Sequence, residues 1–177
     1  MAGHNKFPVK NFKVIIFKAY ITISKPRLVG LLYFTGLSSM LIASSIYGFN
    51  IKSIVLSSLA IILGVMGSNA TTAYIDREMD AVMFRTKKRP VPAGVISPAR
   101  NALIYGLVLV FAGIAIAAFL NWLAAVFIFL GFLDSALIYN LISKRRSPLN
   151  IVFSAPAGGM PVFAGWVAVT QGKISLI

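Results

Sequence analysis

Three of the four acidic residues in this 177-residue chain lie within five positions, at Asp76, Glu78 and Asp80. At about 100° per residue, Asp76 and Asp80 share one face of a helix, whereas Glu78 points roughly the opposite way. Asn69 and Thr72 precede them on the shared face. Two carboxylates one turn apart repel each other unless a cation lies between them. Mg²⁺ commonly takes one or two protein carboxylates and completes its shell with water and phosphate oxygens. The spacing therefore indicates a magnesium site.

A run of cations follows these acids directly and consists of Arg85, Lys87, Lys88 and Arg89. Such side chains neutralise phosphate charge. The chemistry that this combination serves best is the metal-assisted departure of a diphosphate, with the metal as Lewis acid and template. The alternative is that charged residues at a helix end only mark the boundary between lipid and water.

The composition excludes several other kinds of site. The chain is 58% hydrophobic and its mean hydropathy is +0.86, which is typical of a polytopic membrane protein rather than a soluble domain of this size. It contains no cysteine, so disulfides and thiolate metal sites are excluded. The only histidine, His4, lies in a polar N-terminal segment, so neither a histidine-cluster metal site nor a Ser/His/Asp triad can form.

Hydropathy and charge together predict an all-α transmembrane bundle. Each apolar run is near the ~20 residues that a helix needs to cross a bilayer. The runs are 28–47, 53–75, 102–120, 122–142 and 150–170. Fifteen of the 17 cations lie in alternate segments, namely 1–27, 76–101 and 143–149. This asymmetry predicts a multi-pass protein of the cell membrane whose N-terminus and 76–101 loop are cytoplasmic. The charge of +13 is thereby explained by topology, so no nucleic-acid partner is predicted.

Two regions need a separate interpretation. Residues 1–27 form a basic segment, and residues 28–177 form the transmembrane domain. Within the basic segment, the mixed apolar and basic pattern of residues 10–24 predicts an amphipathic helix that lies on the anionic leaflet. The fourth acid, Asp134, falls inside the fourth apolar run. An intramembrane carboxylate is a functional candidate by default. The alternative is a structural residue that pairs with a cation of another helix.

The run from Asp76 to Gly94 resembles the first Asp-rich motif of the UbiA superfamily of intramembrane prenyltransferases. Its continuation, Arg85-Thr-x-x-Arg89-Pro, is similar to the protohaem IX farnesyltransferase branch. The resemblance extends in order from about residue 24 to 171. Its other supporting stretches are Ser24-Lys-Pro-Arg27, Tyr139-Asn-Leu-Ile-Ser-Lys144-Arg-Arg-Ser-Pro-Leu-Asn150-Ile-Val and Gly158-Gly-Met-Pro161 followed by Gly165-Trp166.

The resemblance implies a fold and an activity. Such proteins are helical bundles, typically of nine spanning helices, around a central cavity that opens to lipid. Two Asp-rich motifs hold Mg²⁺ on an isoprenyl diphosphate. In the haem branch the prenyl acceptor is a vinyl group of haem b, so haem is a substrate and the product is haem O. Haem A synthase or terminal oxidase assembly factors are then the implied protein partners.

The resemblance also assigns roles to residues. Asp76 and Asp80 match the metal-binding acids of the motif and are the expected catalytic pair. The positions expected to contact substrates are Arg27, Asn69, Thr72, Arg85, Lys88, Arg89, Tyr139 and Lys144.

Three departures from the family pattern carry their own expectations. Thr72 stands where the family usually has asparagine, and 177 residues contain no second Asp-rich motif. About five spanning helices are predicted instead of nine. We therefore expect this to be the N-terminal part of an enzyme, and catalysis by this chain alone is not expected. The alternatives are a UbiA-type enzyme with another acceptor, such as an archaeal ether-lipid precursor or a quinone ring, and a non-catalytic membrane subunit or truncated fragment.

Overall fold

A computed structural model of the chain describes the backbone of residues 9–143 and 150–173 and the side chains of residues 13–138 and 155–173. The helices, in chain order, are α1 (Val9–Ile23), α2 (Pro26–Tyr47), α3 (Ile51–Ile75), α4 (Arg77–Val82), α5 (Arg100–Leu120), α6 (Trp122–Leu133), a π-helix (Asp134–Ser143) and α7 (Asn150–Val169). These ranges contain no β-strand. The predicted all-α class is therefore confirmed.

In the part of the chain that the structure describes, three helices are long and apolar enough to cross a bilayer. They are α2, α3 and α5, with 22, 25 and 21 residues, and they coincide with the first three predicted spans. Within the described residues, two shorter apolar helices, Trp122–Ile138 and Ala155–Val169, fall inside the fourth and fifth predicted spans. Large apolar side chains on these helices are exposed, up to 89% at Phe119. An apolar surface of this kind suits contact with lipid rather than water.

Local sequence signals explain where the helices begin and end. Pro26 opens α2, where its missing N–H costs nothing. Gly48 ends that helix with a φ of 97°, a conformation that side chains disfavour. The side chain of Asn50 caps α3 by accepting the Ser53 N–H at 3.2 Å. Asn121 alone separates α5 from α6, so these two helices form the tight hairpin that the sequence predicts.

The fourth apolar run is helical throughout, as predicted for 122–142, but it contains two types of helix. The α-helical part ends at Leu133, and the chain continues as a π-helix from Asp134 to Ser143. A π-helix closes its hydrogen bonds over five residues and has a wider turn than an α-helix. Hydropathy does not distinguish the two types, so the sequence predicted a helix of this length without indicating the change of type at Asp134.

Glycines bring α3 and α5 into direct backbone contact. A Cβ added at Gly67 would collide with the Gly106 backbone, and one at Gly113 would lie 2.7 Å from the Ala60 carbonyl oxygen. Small residues permit such close approach between membrane helices, where apolar burial from water does not drive association. The backbones of α3 and α5 are therefore in contact at both Gly67 and Gly113.

A small apolar cluster packs the 76–101 loop, which the sequence predicts to be cytoplasmic, against the bundle. Its buried members come from α1, α3, α5 and the loop, and they are Ala19, Ile23, Ala70, Val91, Ile96 and Ala102. Because Val91 and Ile96 are 5% and 3% exposed, the segment after α4 is packed down rather than free. This packing fixes the basic stretch close to the C-terminal end of α3.

Candidate active site

The two acids of the motif lie where α3 passes into the short helix α4. Asp76 is the single residue between these helices, with φ −81° and ψ −5°. The hydrogen-bond ladder continues through it, because its N–H donates to the Thr72 carbonyl at 2.9 Å. In turn, the Asp80 N–H donates to the Asp76 carbonyl at 2.8 Å. The structure therefore places the two acids one helical turn apart.

Both of these carboxylates are buried, whereas the third acid of the cluster is not. Asp76 and Asp80 are 6% and 5% exposed. Glu78 has a side chain that is 76% exposed, and its Oε1 pairs with Arg77 Nη2 at 2.7 Å. Burying a carboxylate costs free energy unless a cation or hydrogen-bond donors compensate. Asp76 and Asp80 are therefore the two acids of the cluster whose buried charge needs compensation by a cation. Glu78 lies at the surface, where water solvates its charge.

Arg89 compensates one of the two buried carboxylates directly. Its Nη1 donates to Asp80 Oδ2 at 2.7 Å, and its own side chain is 43% exposed. The loop supports this approach, since Thr86 Oγ1 donates to the Asp80 carbonyl at 3.1 Å and the Arg89 N–H donates to the Thr86 carbonyl at 2.9 Å. The Arg85-Thr-x-x-Arg89 stretch therefore folds back on the helix end and brings its last cation onto the second acid.

The other cations of the run are not buried with the carboxylates. Arg85 and Lys88 are both exposed, and the ammonium of Lys87 lies 4.8 Å from the ring centroid of Phe84. Arg27, in the first turn of α2, is exposed as well. Assignment of Arg27, Arg85 and Lys88 to substrate therefore stays a prediction that rests on their charge and sequence position.

A cavity of about 170 Å³ lies beside the Asp80–Arg89 pair. Its wall comes from the end of α1, the α1–α2 link, α3, α4 and the loop, and is formed by Thr22, Ile23, Lys25, Ala73, Asp80, Arg89, Pro90, Val91 and Pro92. Lys25 has a left-handed backbone with a φ of 52°. Our sequence interpretation did not single out Lys25, although its place beside Pro26 and Arg27 in the matching motif was a usable signal.

Asn69 and Thr72 make structural hydrogen bonds. Asn69 Nδ2 donates to the Ser24 carbonyl at 3.1 Å, which ties the α1–α2 link to α3. Thr72 Oγ1 donates to the Asn69 carbonyl at 2.8 Å. Ser24 is itself 1% exposed, and its Oγ lies 3.4 Å from the Tyr105 hydroxyl. This buried network joins α1, α3 and α5 directly beneath the acids, and the sequence did not reveal it.

A larger cavity of about 330 Å³ extends into the bundle from the level of Asn69. Residues of α2, α3, α6, the π-helix and α7 form its wall, and most of them are apolar. The wall consists of Leu28, Leu32, Ile61, Gly64, Val65, Ser68, Asn69, Phe127, Ile128, Gly131, Phe132, Ser135, Ala157, Gly158, Met160 and Pro161. At 1.5 Å per residue, Asn69 lies about 10 Å along α3 from Asp76. The cavity is at the small end of the size that ligand pockets have.

Two of the predicted substrate residues cannot be compared with this geometry. Tyr139 belongs to the π-helix, but its side chain lies outside the described residues. Lys144 lies outside the described residues altogether. Both stay predictions.

The donor set at Asp76 and Asp80 fits a magnesium ion. Within the described residues, no group of three or more His, Cys, Asp or Glu side chains comes together. Mg²⁺ needs only one or two carboxylates, because water and substrate phosphate oxygens fill its remaining positions. Two buried carboxylates one turn apart provide hard oxygen ligands, and Arg89 pairs with one of them at 2.7 Å.

Comparison with known proteins identifies the family. Residues 31–177 match the UbiA prenyltransferase family. The protoheme IX farnesyltransferase of Desulforudis audaxviator is 44% identical over 160 residues, and the match covers 90% of this chain and 50% of the relative. The protein of the same name from Thermoplasma acidophilum is 45% identical, with 89% of this chain and 55% of the relative covered. The chain therefore spans about half the length of these relatives.

Solved structures support the same fold. A UbiA homologue from Archaeoglobus fulgidus, bound to DMAPP and Mg²⁺, superposes with a TM-score of 0.69 at 18% sequence identity. This superposition covers 89% of this chain and 56% of the homologue. The structure of a UbiA homologue from that organism bound to GPP and Mg²⁺ gives a TM-score of 0.66. On the family match, the identity to the curated relatives and the shared bundle, this chain belongs to the UbiA prenyltransferase family.

Proposed function

We propose that the chain serves in a protohaem IX farnesyltransferase, which transfers farnesyl from farnesyl diphosphate to a vinyl group of haem b and so forms haem O. The observation that carries this proposal is the pair of buried carboxylates, Asp76 and Asp80, with Arg89 bound to the second of them at 2.7 Å. The names of the curated relatives support the choice of farnesyl and haem over another prenyl acceptor.

In this proposal, Asp76 and Asp80 would be the residues that hold Mg²⁺ at the diphosphate site. The ion supplies Lewis-acid stabilisation of the charge that develops on the leaving diphosphate. Arg89 shares its guanidinium between Asp80 and a phosphate oxygen, for which its planar donor geometry is suited. Arg27, Arg85 and Lys88 neutralise the rest of the diphosphate charge from their exposed positions. Mg²⁺ dependence is thus part of the proposal.

The bond changes balance without a redox partner. The bond between the first farnesyl carbon and the diphosphate oxygen breaks, and the electron pair leaves with the diphosphate. The vinyl group of haem b supplies two electrons for the new carbon–carbon bond. Water then adds to the neighbouring carbon and releases a proton, which gives the hydroxyl group of haem O. The residues of the chain bind and orient the diphosphate and keep the apolar chain away from water.

The apolar part of the substrate is proposed to lie in the 330 Å³ cavity. That cavity opens about 10 Å along α3 from Asp76, and its wall is mostly apolar. Asn69 lines the cavity although it is buried, and Thr72 donates to its carbonyl, so we propose that the two residues position the substrate at the end of the cavity nearer Asp76. Tyr139 and Lys144, in and after the π-helix, are proposed to contact the substrates from the fourth span.

We also propose the location of the site. The protein is a multi-pass protein of the cell membrane, with the N-terminus and the 76–101 loop on the cytoplasmic side, because cations concentrate in these segments. Diphosphate would then be bound from the cytoplasm, and haem O would remain in the lipid phase. Haem A synthase or terminal oxidase assembly factors are the proposed recipients of the product.

Mass spectrometry of extracted haems tests this function. The complete gene that encodes the chain is expressed in a host without haem O synthase, and membranes are extracted after growth. We expect haem O in the wild type and only haem b in the Asp76→Asn variant at equal protein level. A prenylated product other than haem O would contradict the assigned acceptor, and equal haem O in the variant would contradict the assigned site.

A further inference from the structure

Asp134 is a buried carboxylate for which the proposed diphosphate chemistry has no use. It is 5% exposed and lies in the fourth apolar run, at the residue where α6 gives way to the π-helix. A carboxylate at such a place is costly and is kept only where it has a partner or a role. The sequence suggested that a cation of another helix pairs with Asp134. In the structure, Oδ2 of Asp134 is instead bonded to a backbone N–H group.

The carboxylate of Asp134 binds the backbone of α7. Its Oδ2 accepts the Ala157 N–H at 2.8 Å. Ala157 follows Pro156 inside the helix, and Pro161 stands four residues further on. A proline within a helix lacks an N–H and displaces the carbonyl of the preceding turn, and neighbouring groups must then satisfy the backbone groups set free. Asp134 supplies a hydrogen-bond acceptor to the backbone of α7 beside Pro156.

This hydrogen bond joins two walls of the 330 Å³ cavity. Ser135, next to the carboxylate, lines the cavity from the π-helix, while Ala157 and Gly158 line it from α7. One turn away the same two walls touch, since a Cβ added at Gly131 would lie 3.1 Å from the Met160 Cβ. Gly158, in contrast, faces open space, with no atom within 4 Å of an added Cβ. The distance between the two walls at Gly158 is therefore set by the contacts on either side of it.

From this arrangement we infer that Asp134 is a positioning residue that fixes the width of the cavity beside Gly158 and so controls which isoprenyl chains fit there. By holding the proline-interrupted wall of α7 against the π-helix, its carboxylate fixes the width of the cavity beside Gly158. Asp134 lies in the fourth apolar run, whereas Asp76, Asp80 and Arg89 lie at the end of α3 and in the segment that follows it. The inference rests on the proposed function in one respect, namely that the cavity receives the isoprenyl chain.

Binding of prenyl alcohols to the full chain tests the role without the diphosphate site. Purified protein in detergent is titrated with tritiated farnesol and, separately, with tritiated geranylgeraniol, and the ratio of the two affinities is the readout. Asp134→Leu removes the acceptor oxygen, whereas Asp134→Asn keeps one and serves as the matched control. We expect the Leu variant to change the ratio at least about fivefold and the Asn variant to stay within about twofold of wild type.

The outcomes separate a specific role from a structural one. An unchanged affinity ratio in a folded Leu variant would overturn the inference, and thermal unfolding establishes whether it is folded. If the Leu variant does not fold, Asp134→Ala, which removes the acceptor without adding bulk, takes its place. Failure of both to fold would make Asp134 a stability residue and would also overturn the inference. Absence of prenyl alcohol binding to the wild type would instead count against the proposed function.

Discussion

The guanidinium of Arg89 lies 2.7 Å from the carboxylate of Asp80, across the end of the helix that carries both acids of the motif. The Asp80 side chain is buried, whereas the Arg89 side chain is partly exposed. The guanidinium is therefore accessible to a second anion, while the carboxylate is shielded from water. Without metal, Arg89 neutralises Asp80. In the proposed function, Mg²⁺ bound to Asp80 would leave the same guanidinium available to the diphosphate.

Replacement of Arg89 by glutamine therefore has an effect that depends on metal. Asp80 loses its cation, and we expect the free energy of unfolding to fall by about 1–3 kcal/mol in EDTA. Added Mg²⁺ with pyrophosphate should recover part of this loss, because the ion then compensates the carboxylate. Thermal unfolding in detergent, with and without the ion, measures both effects.

Arg85→Gln is the matched control for this variant. It removes the same charge four residues earlier, from an exposed side chain. We expect its stability in EDTA to stay within about 0.5 kcal/mol of wild type. Equal destabilisation by both variants would mean that net charge, rather than the Asp80 contact, controls stability.

Asn69→Ala is predicted to destabilise the protein by removing the hydrogen bond between α3 and the α1–α2 link. The variant leaves the Ser24 carbonyl without its donor at a buried position, and we expect a loss of about 1–3 kcal/mol in unfolding free energy. Ser38→Ala is the control, since the Ser38 hydroxyl is exposed and bonds only within its own helix, to the Phe34 carbonyl. If both variants unfold at the same temperature, the tie between Asn69 and Ser24 does not stabilise the fold.

Gly67→Ala is predicted to separate α3 from α5. The added Cβ would collide with the backbone of Gly106, which cannot yield as a flexible side chain can. We expect a loss of about 1–3 kcal/mol or more from overpacking. Gly30→Ala adds the same methyl group where no atom lies within 4 Å, and should be neutral or stabilising by up to about 1 kcal/mol. Unfolding curves that coincide for the two variants would contradict the close contact.

The spanning helices were predictable because the length and hydropathy of each run are properties of the local sequence alone. The runs at 28–47, 53–75 and 102–120 agree with α2, α3 and α5 to within a few residues, and caps such as Asn50 and turns such as Gly48 account for their ends. The change to a π-helix at Asp134 was not predictable. It accompanies a hydrogen bond to α7 that hydropathy does not encode.

The site shows the same division between local and long-range information. Spacing alone placed Asp76 and Asp80 on one helical face and Glu78 away from them. The approach of Arg89 to Asp80 depends on how Thr86 and Val91 pack the loop against the helices. Likewise, the amide of Asn69 meets the Ser24 carbonyl across 45 residues of sequence. Such contacts arise from tertiary packing, so the sequence did not predict them, and the substrate role of Asn69 stays a prediction beside its hydrogen bond to Ser24.

The most direct test is Mg²⁺-dependent binding of a non-hydrolysable farnesyl diphosphate analogue, measured by equilibrium dialysis of wild type, Asp76→Asn, Asp80→Asn and Glu78→Gln. Glu78 is the control, because it belongs to the same cluster but is exposed and paired with Arg77. We predict binding to the wild type that EDTA abolishes, affinities at least about tenfold weaker in both Asn variants, and an affinity within about twofold of wild type for Glu78→Gln. Unchanged binding in both Asn variants would contradict the assignment of Asp76 and Asp80 as the metal site.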